Sequence, residues 1–169
     1  MKKKMDTKML VTAAILIALQ IILSRFLSIN AWNLKIGFAF VAVFVAAYFY
    51  GPAFSTVVAV ISDILGALLF PSGAFFPGFT LTALLTGLLY GCMLYKKQNL
   101  FRIILTVLID QLVLGFMLNT YWLSILYGST FMAVAATRVF QCVIMIPVEI
   151  VTISLLMKKL PGLKKEIQR

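Results

Sequence analysis

Residues 36–62 read IGFAFVAVFVAAYFYGPAFSTVVAVIS and contain no charged side chain. Residues 64–95 form a second uncharged stretch, which is separated from the first by Asp63 alone. Each stretch is longer than the ~20 apolar residues that a helix needs to cross the hydrocarbon core of a bilayer. We therefore expect an all-α integral membrane protein.

The composition of the whole chain agrees with this expectation. Of its 169 residues, 63% are hydrophobic and 12% are charged, whereas about a quarter of a soluble domain is charged. The net charge of +10 could indicate a nucleic-acid partner, but the basic residues flank apolar spans and do not form one face interleaved with aromatic residues. We expect a lipid bilayer around the chain and no nucleic-acid partner.

Most basic residues stand in three clusters, at residues 2–8, 96–102 and 158–169. Loops on the cytoplasmic side of membranes are enriched in Lys and Arg, and all three clusters fall on that side when the number of helices is even. Six transmembrane helices fit the apolar runs, in one domain over residues 1–169 with both termini cytoplasmic. Their expected ranges are 8–27, 34–50, 53–70, 79–95, 101–126 and 131–160.

Two further patterns concern the first predicted helix and the packing between helices. The first apolar run reaches Arg25 without a convincing small-residue cleavage site, so it is expected to be a retained helix and not a signal peptide. Ala83, Gly87 and Gly91 form a row of small residues spaced by four, which favours close helix packing within the chain.

The sequence offers little for catalysis or metal binding. It contains no His, and Cys92 and Cys142 lie far apart in apolar spans, where small buried side chains are expected. No phosphate-binding G-x-x-x-x-G-K-[ST] motif is present. We therefore expect no catalytic residue, no metal site and no cofactor.

Six isolated charges interrupt the apolar runs: Arg25, Lys35, Asp63, Asp110, Arg138 and Glu149. With a rise of ~1.5 Å per residue, four of them fall in the outer half of the membrane and sum to a positive charge. The remaining two, Asp110 and Glu149, fall ~12–14 Å from the cytoplasmic surface and are left outside the predicted site. Either one of these two is protonated or each has a separate donor, for which Gln111 and Thr152 are near in sequence.

Uncharged polar and aromatic residues gather at the level of the outer charges. They are Asn30, Trp32, Phe38, Phe76, Phe79, Asn119, Trp122 and Gln141. Singly, these residues and the charges have structural explanations: an Asp63–Arg138 ion pair, tryptophan anchors at the interface and phenylalanine packing. Together they predict an outward-opening, aromatic-lined pocket for a flat heteroaromatic ligand, whose N–H/NH2 edge a carboxylate accepts and whose anionic tail arginine binds.

Several segments are similar to one known family. They are Ala14-x-x-x-Ala18, Ser62-Asp63-Ile-Leu-Gly66, SINAWNLKIG at residues 28–37 and FPSGAFFPGFT at residues 70–80. In these segments the chain resembles the substrate-binding S component of energy-coupling factor (ECF) vitamin transporters, and most closely the folate-specific members. The alanine motif is common in membrane helices, so the two loops and Asp63 carry the resemblance.

The resemblance implies an S-component fold in a bacterial plasma membrane. It implies that folate or reduced folates bind from outside, that the Ala14/Ala18 face docks a transmembrane scaffold, and that two ATPases drive the cycle. From side-chain chemistry we assign Asp63 to the pterin edge, and Arg25, before Lys35 and Arg138, to the glutamate tail. The residues expected to stack on the ligand are Trp32, Phe38, Phe76, Phe79 and Trp122, and the loop that carries Trp32 is the expected gate.

Three alternatives stay open at this point. The first is an S component for another vitamin, although cationic thiamine suits a positive pocket poorly and the tail of riboflavin is uncharged. The second is a small membrane enzyme that uses Asp63, Asp110 and Glu149. The third is a structural subunit without a ligand, which would leave the outer polar cluster unexplained.

Overall fold

The computed structural model of the chain describes residues 7–31, 34–71, 73–96 and 98–167, and it is nearly all helical. The elements are α1 (Thr7–Arg25), β1 (Ser28–Ala31), β2 (Leu34–Gly37), α2 (Phe40–Tyr50), α3 (Pro52–Leu69), α4 (Pro77–Leu94), α5 (Leu100–Tyr127) and α6 (Phe131–Ile167). Within α5, the segment Ile109–Leu118 is a π-helix. The long helices match the predicted ranges to within a few residues, except that α6 continues past residue 160.

Five of these helices, α1, α3, α4, α5 and α6, are long and apolar enough to cross a membrane. The remaining helix, α2, has 11 residues and is therefore ~16 Å long, which is shorter than the ~30 Å hydrocarbon core. Six crossings and cytoplasmic termini remain predictions.

The prediction of a helix from residue 34 was wrong, because Leu34–Gly37 forms a strand. β2 pairs antiparallel with β1, so that Ser28 lies opposite Gly37 and Asn30 opposite Lys35. A short apolar run does not distinguish a strand from a helix by its composition, and here the pairing with β1 decides. The first loop is therefore a β-hairpin that follows α1.

The hairpin shares one end of the bundle with two other connections. The ring of Phe26 packs edge-on against Phe70, with their centroids 5.2 Å apart, and the Tyr127 hydroxyl lies beside Gly73. We name this region, formed by residues 26–31, 34–38, 70–71, 73–76 and 127–130, the hairpin end. A cavity lined by several helices extends inward from this end.

The core joins α2, α4, α5 and α6 through buried aromatic and aliphatic side chains such as Phe44, Tyr90 and Ile153. A smaller cluster, Leu16 with Ala46 and Val58, packs α1 against α2 and α3. Because buried packing around α1 is limited to one side, most of that helix faces away from the bundle.

The closest helix packing is between α3 and α4. A Cβ atom on Gly87 would lie 2.6 Å from the Cα of Thr56, and one on Gly91 would overlap Pro52. The Ser55 hydroxyl donates a hydrogen bond of 2.8 Å to the Gly87 carbonyl. The prediction that the small-residue row packs within the chain is confirmed. One related expectation was wrong, because Cys92, on the same helix, is exposed.

Candidate functional site

A cavity of about 420 Å³ opens between the helices and extends inward from the hairpin end. Its size lies in the range of roughly 300–1,000 Å³ that is usual for small-molecule sites. All six helices and β2 contribute to its wall. The lining includes every isolated charge found in the sequence: Arg25, Lys35, Asp63, Asp110, Arg138 and Glu149.

This lining corrects the division of the charges by depth. We expected a site with excess positive charge that excluded Asp110 and Glu149, but both line the same cavity as the other four. Three cations therefore balance three carboxylates in formal charge. The position of a residue along its own helix gives its depth but not its neighbours on other helices, so it does not reveal a cavity that runs along the bundle through both levels.

Arg25 and Lys35 stand where the cavity meets the hairpin end, which we name the mouth. Arg25 ends α1, and its guanidinium lies against Gly66 of α3, where a Cβ atom would come within 3.3 Å of Nε. The backbone N–H of Lys35 donates to Oε1 of Gln141 at 3.1 Å. The hairpin is thereby tied to α6, and both cations line the same cavity.

The surroundings of Lys35 lower its pKa to about 8 from an ordinary value of 10.5. The main cause is desolvation by the surrounding protein, although the side chain keeps accessible surface because it lines an open cavity. The positive charge of Arg25 lowers the pKa further, while Asp63 opposes both effects. Lys35 thus remains mostly protonated at neutral pH and loses its charge in a mildly alkaline range.

Asp63 and two phenylalanines form one wall between the mouth and the interior. The Thr80 hydroxyl donates to Oδ2 of Asp63 at 2.8 Å, which uses one of about four acceptor positions of a carboxylate. The rings of Phe76 and Phe79 line the cavity beside it, edge to face, with centroids 6.0 Å apart. This wall combines a carboxylate with further acceptor capacity and two aromatic surfaces.

Arg138 lines the cavity from α6 and is held by the π-helical segment of α5. It is 6% exposed, and its Nη2 donates to the carbonyl of Gly115 at 2.9 Å. The Cys142 thiol, one turn along α6, donates to the carbonyl of Gln111 at 3.4 Å. In a π-helix the backbone bonds run from i to i+5, and here two of its carbonyls accept bonds from α6.

The two remaining carboxylates lie at the inner part of the cavity, which we name the floor. The Thr86 hydroxyl donates to Oδ1 of Asp110 at 2.9 Å. Glu149 is 2% exposed and accepts from Gln111 Nε2 at 2.7 Å and from the Tyr90 hydroxyl at 3.3 Å. Each acid therefore has its own donors, as one of the two alternatives predicted, and Gln111 is one of them.

The structure brings eight of the predicted site residues onto the lining: Arg25, Lys35, Asp63, Phe76, Phe79, Asn119, Arg138 and Gln141. Phe38 and Trp122 do not belong to the described lining. Phe38 is 43% exposed and packs near Phe40, which lines the cavity instead. Trp32 lies outside the described residues, and only the backbone of Asn30 is described.

Trp122 supports the cavity wall from behind. Its indole N–H donates to Oγ1 of Thr82 at 3.2 Å, and its ring packs 5.7 Å from that of Phe76. The sequence grouped Trp122 with Phe76 but could not give the direction of its side chain. Its contacts position Phe76 and Thr82, both of which line the cavity.

Among the lining residues outside the predicted site are Gln20, Phe40, Thr82 and Thr86. Gln20 had a usable signal, because it is the only polar residue between positions 13 and 23. The other three resemble ordinary packing residues in sequence, so their placement required the fold.

Ala14 and Ala18 are both exposed on α1, away from buried Leu16. They leave a shallow apolar surface on the side of the helix that does not contact the bundle. Small residues let the backbone of a second helix approach closely in lipid. This surface is sterically open to a partner helix.

The chain is similar to known proteins over most of its length. Residues 8–157 match the family model described as the substrate-specific component of ECF transporters. The folate transporter FolT of Clostridium novyi (strain NT) is 38% identical over 83% of this chain and 82% of that protein. FolT of Leuconostoc mesenteroides is 36% identical over 87% of this chain and 83% of the relative.

A solved structure shows the same architecture. The crystal structure of FolT bound with folic acid superposes with a TM-score of 0.86 and 33% identity, covering 91% of this chain and 95% of that one. The two sequence relatives and the solved structure are thus all FolT proteins.

Proposed function

Because the chain belongs to the family of substrate-specific components of ECF transporters, we propose that it is a folate-binding subunit of such a transporter. Its task in this proposal is to capture folate or a reduced folate at the cavity mouth and to deliver it inward. The family supplies a binding component of a transport system and not a catalyst. The whole chain acts as one membrane-embedded binding domain.

The observation that carries the choice of folate is the similarity to FolT with bound folic acid over nine-tenths of this chain. Both sequence relatives bear the same name at identities above one third. The six charges that line one cavity add a physical reason, since burying ionisable groups inside a membrane protein is costly and usually marks a site.

The chemistry of folate matches the order of groups along the cavity. Folate combines a pterin that has an N–H/NH2 edge, an aromatic middle and an anionic glutamate tail. We assign the pterin edge to Asp63 and the rings to Phe76 and Phe79. The tail is assigned to Arg25 first, with Lys35 and Arg138 as further cations, because Arg25 and Lys35 stand at the mouth.

We further propose that the exposed Ala14/Ala18 surface docks a transmembrane scaffold subunit that two ATPases drive. In this arrangement the chain lies in a bacterial plasma membrane with both termini cytoplasmic and the hairpin end outside. The support is the exposure of both alanines together with the basic clusters at the two termini.

The proposed ligand is tested by purifying the chain from its membrane under native conditions and identifying co-eluting small molecules by mass spectrometry. We expect a folate species in near-stoichiometric amount. Recovery of a flavin or thiamine without folate would sink the folate assignment.

The docking surface is tested by the double change Ala14→Trp and Ala18→Trp. Folate binding in detergent should persist while uptake by cells is lost, because two indoles block a close helix approach. A matched control is Val139→Trp with Val143→Trp, which has the same spacing on an exposed face of α6. Uptake that survives the alanine changes would show that α1 is not the docking helix.

A further inference from the structure

Helix α1 carries one polar side chain in its apolar middle. Residues 13–23 are otherwise Ala, Ile and Leu, and Gln20 alone interrupts them. The polar residues on either side bond to their own helix: Thr12 donates to the Lys8 carbonyl at 2.8 Å, and Ser24 to the Ile21 carbonyl at 3.2 Å. A primary amide in this setting costs free energy unless it finds a partner.

Gln20 lines the cavity, and its side-chain carbonyl oxygen Oε1 is buried without a hydrogen-bond partner in the described part of the chain. Buried acceptors in native proteins are nearly always satisfied, by protein or by a bound molecule. An unsatisfied amide oxygen on the wall of a binding cavity therefore points to a donor on the ligand.

A second amide shows the same condition on a different wall. Asn119 of α5 lines the cavity, and its Oδ1 is likewise buried with no partner among residues that the structure describes. α1 packs chiefly against α2, α3 and the hairpin, so the two amides belong to separate walls. Two unsatisfied acceptors facing one cavity are the pattern expected of a site that is completed by N–H donors.

We propose that Gln20 recognises the ligand, with its side-chain carbonyl accepting a hydrogen bond from a ligand N–H and Asn119 accepting a second one. This inference rests on the proposed folate site and deepens it. Gln20 lies five residues from Arg25, which is ~7 Å along the helix. A ligand with its anionic tail near Arg25 therefore presents ring or linker N–H groups at the level of Gln20.

Binding of folic acid to purified wild type, Gln20→Leu and Gln20→Glu, measured by isothermal titration calorimetry in one detergent, tests the inference. We expect Gln20→Leu to bind about tenfold more weakly, which corresponds to ~1.4 kcal/mol. Gln20→Glu keeps an acceptor oxygen and should stay within about threefold of wild type. Ser24→Ala is the matched control on the same helix, since the Ser24 hydroxyl donates to the Ile21 carbonyl of that helix, and this variant should bind folic acid like wild type.

Ligand-free thermal unfolding separates recognition from a structural role. Leucine removes an unsatisfied amide, so the midpoint of Gln20→Leu should equal or exceed that of wild type. If that variant does not fold, Gln20→Met replaces it with the same expectations. Asn119→Leu should also weaken folic acid binding.

Each result decides between the inference and its failure. Unchanged affinity in Gln20→Leu would overturn it, and so would a loss of affinity in Gln20→Glu equal to that in Gln20→Leu, since the carbonyl would then not be the group used. If the unfolding midpoint of the ligand-free protein is lower in both Gln20→Leu and Gln20→Met than in wild type, Gln20 has a structural role instead. Failure of wild type to bind folic acid would overturn the proposed function itself.

Discussion

The mouth and the floor of the cavity carry charges of opposite sign on different kinds of structure. At the mouth, Arg25 ends a helix and Lys35 sits on a short strand whose backbone is tied to α6. At the floor, Asp110 and Glu149 lie within long helices. There the protein itself supplies hydroxyl, phenol and amide donors to the carboxylates.

This difference indicates separate tasks for the two regions. A charge or polar group buried away from water must be satisfied within the protein, and the floor acids have their donors in place before any ligand arrives. The mouth cations line the cavity where it meets the hairpin end, so an anionic ligand can reach them there. We therefore expect substitutions at the floor to change mainly the stability of the fold, and substitutions at the mouth to change mainly affinity.

The largest effect is expected at Glu149. Changing Glu149→Leu leaves the buried donors of Gln111 and Tyr90 without an acceptor, and each such group costs ~1–3 kcal/mol. We expect the free energy of unfolding of the ligand-free protein to fall by about 2–4 kcal/mol. Thermal or denaturant unfolding in detergent measures this loss.

The control for this change is Glu149→Gln, which keeps an acceptor oxygen and should cost less than the leucine variant. Wild-type stability in Glu149→Leu, combined with weakened folic acid binding, would contradict the comparison. The floor would then contact the ligand directly.

At the mouth, Arg25→Gln should reduce affinity for folic acid by ~1.5–3 kcal/mol, the usual contribution of a hydrogen bond to a charged group. A pterin that lacks the aminobenzoylglutamate tail should bind wild type and the variant equally, because it has no group for Arg25. Competition titrations with folic acid and with the tail-less pterin give, for each compound, the ratio of the wild-type affinity to the variant affinity. Equal losses for both compounds would place the tail elsewhere.

The sequence was sufficient for the membrane class, the long helices and the packing of Gly87 and Gly91, because these depend on local composition and spacing. It failed at Leu34–Gly37, where an apolar run pairs as a strand. Such pairing depends on a partner segment, so the composition of the segment itself does not predict it.

The candidate site was predictable in part for a related reason. An isolated charge in an apolar run is visible in sequence, so all six cavity charges were found. Their grouping was wrong because Asp110 and Glu149 reach the cavity through the relative placement of α5 and α6. Likewise, Trp122 was recognised in the sequence, while its contact with Phe76 depends on how α5 packs against α4.

Asp63 lies between the two regions and tests where recognition begins. Asp63→Asn keeps the shape and an oxygen for Thr80 but replaces acceptor positions with an NH2 donor. We expect folic acid affinity to fall by ~1–3 kcal/mol. Thr80→Val, which removes the hydroxyl that bonds to Asp63, should have a smaller effect. Equal affinity in wild type and Asp63→Asn would show that Asp63 has a structural role, like the acids of the floor.

The smallest effect is expected from the titration of Lys35. Its pKa of about 8 means that the free protein loses this charge as the pH rises through 8, so affinity for an anionic tail should be full below that value. Between pH 7 and 9 we expect folic acid affinity to fall by a few fold, about 0.5–1 kcal/mol for an exposed charge pair.

The stability of the fold should change in the opposite direction. Between pH 8 and the ordinary lysine value, the unfolded chain binds more protons than the folded protein, so the free energy of unfolding increases as the pH rises. Calorimetry on wild type and Lys35→Arg separates this effect from titration of the ligand, which is common to both proteins. Since arginine keeps its charge throughout this range, an identical pH dependence in the two proteins would remove Lys35 from tail recognition and leave Arg25 as the main cation of the mouth.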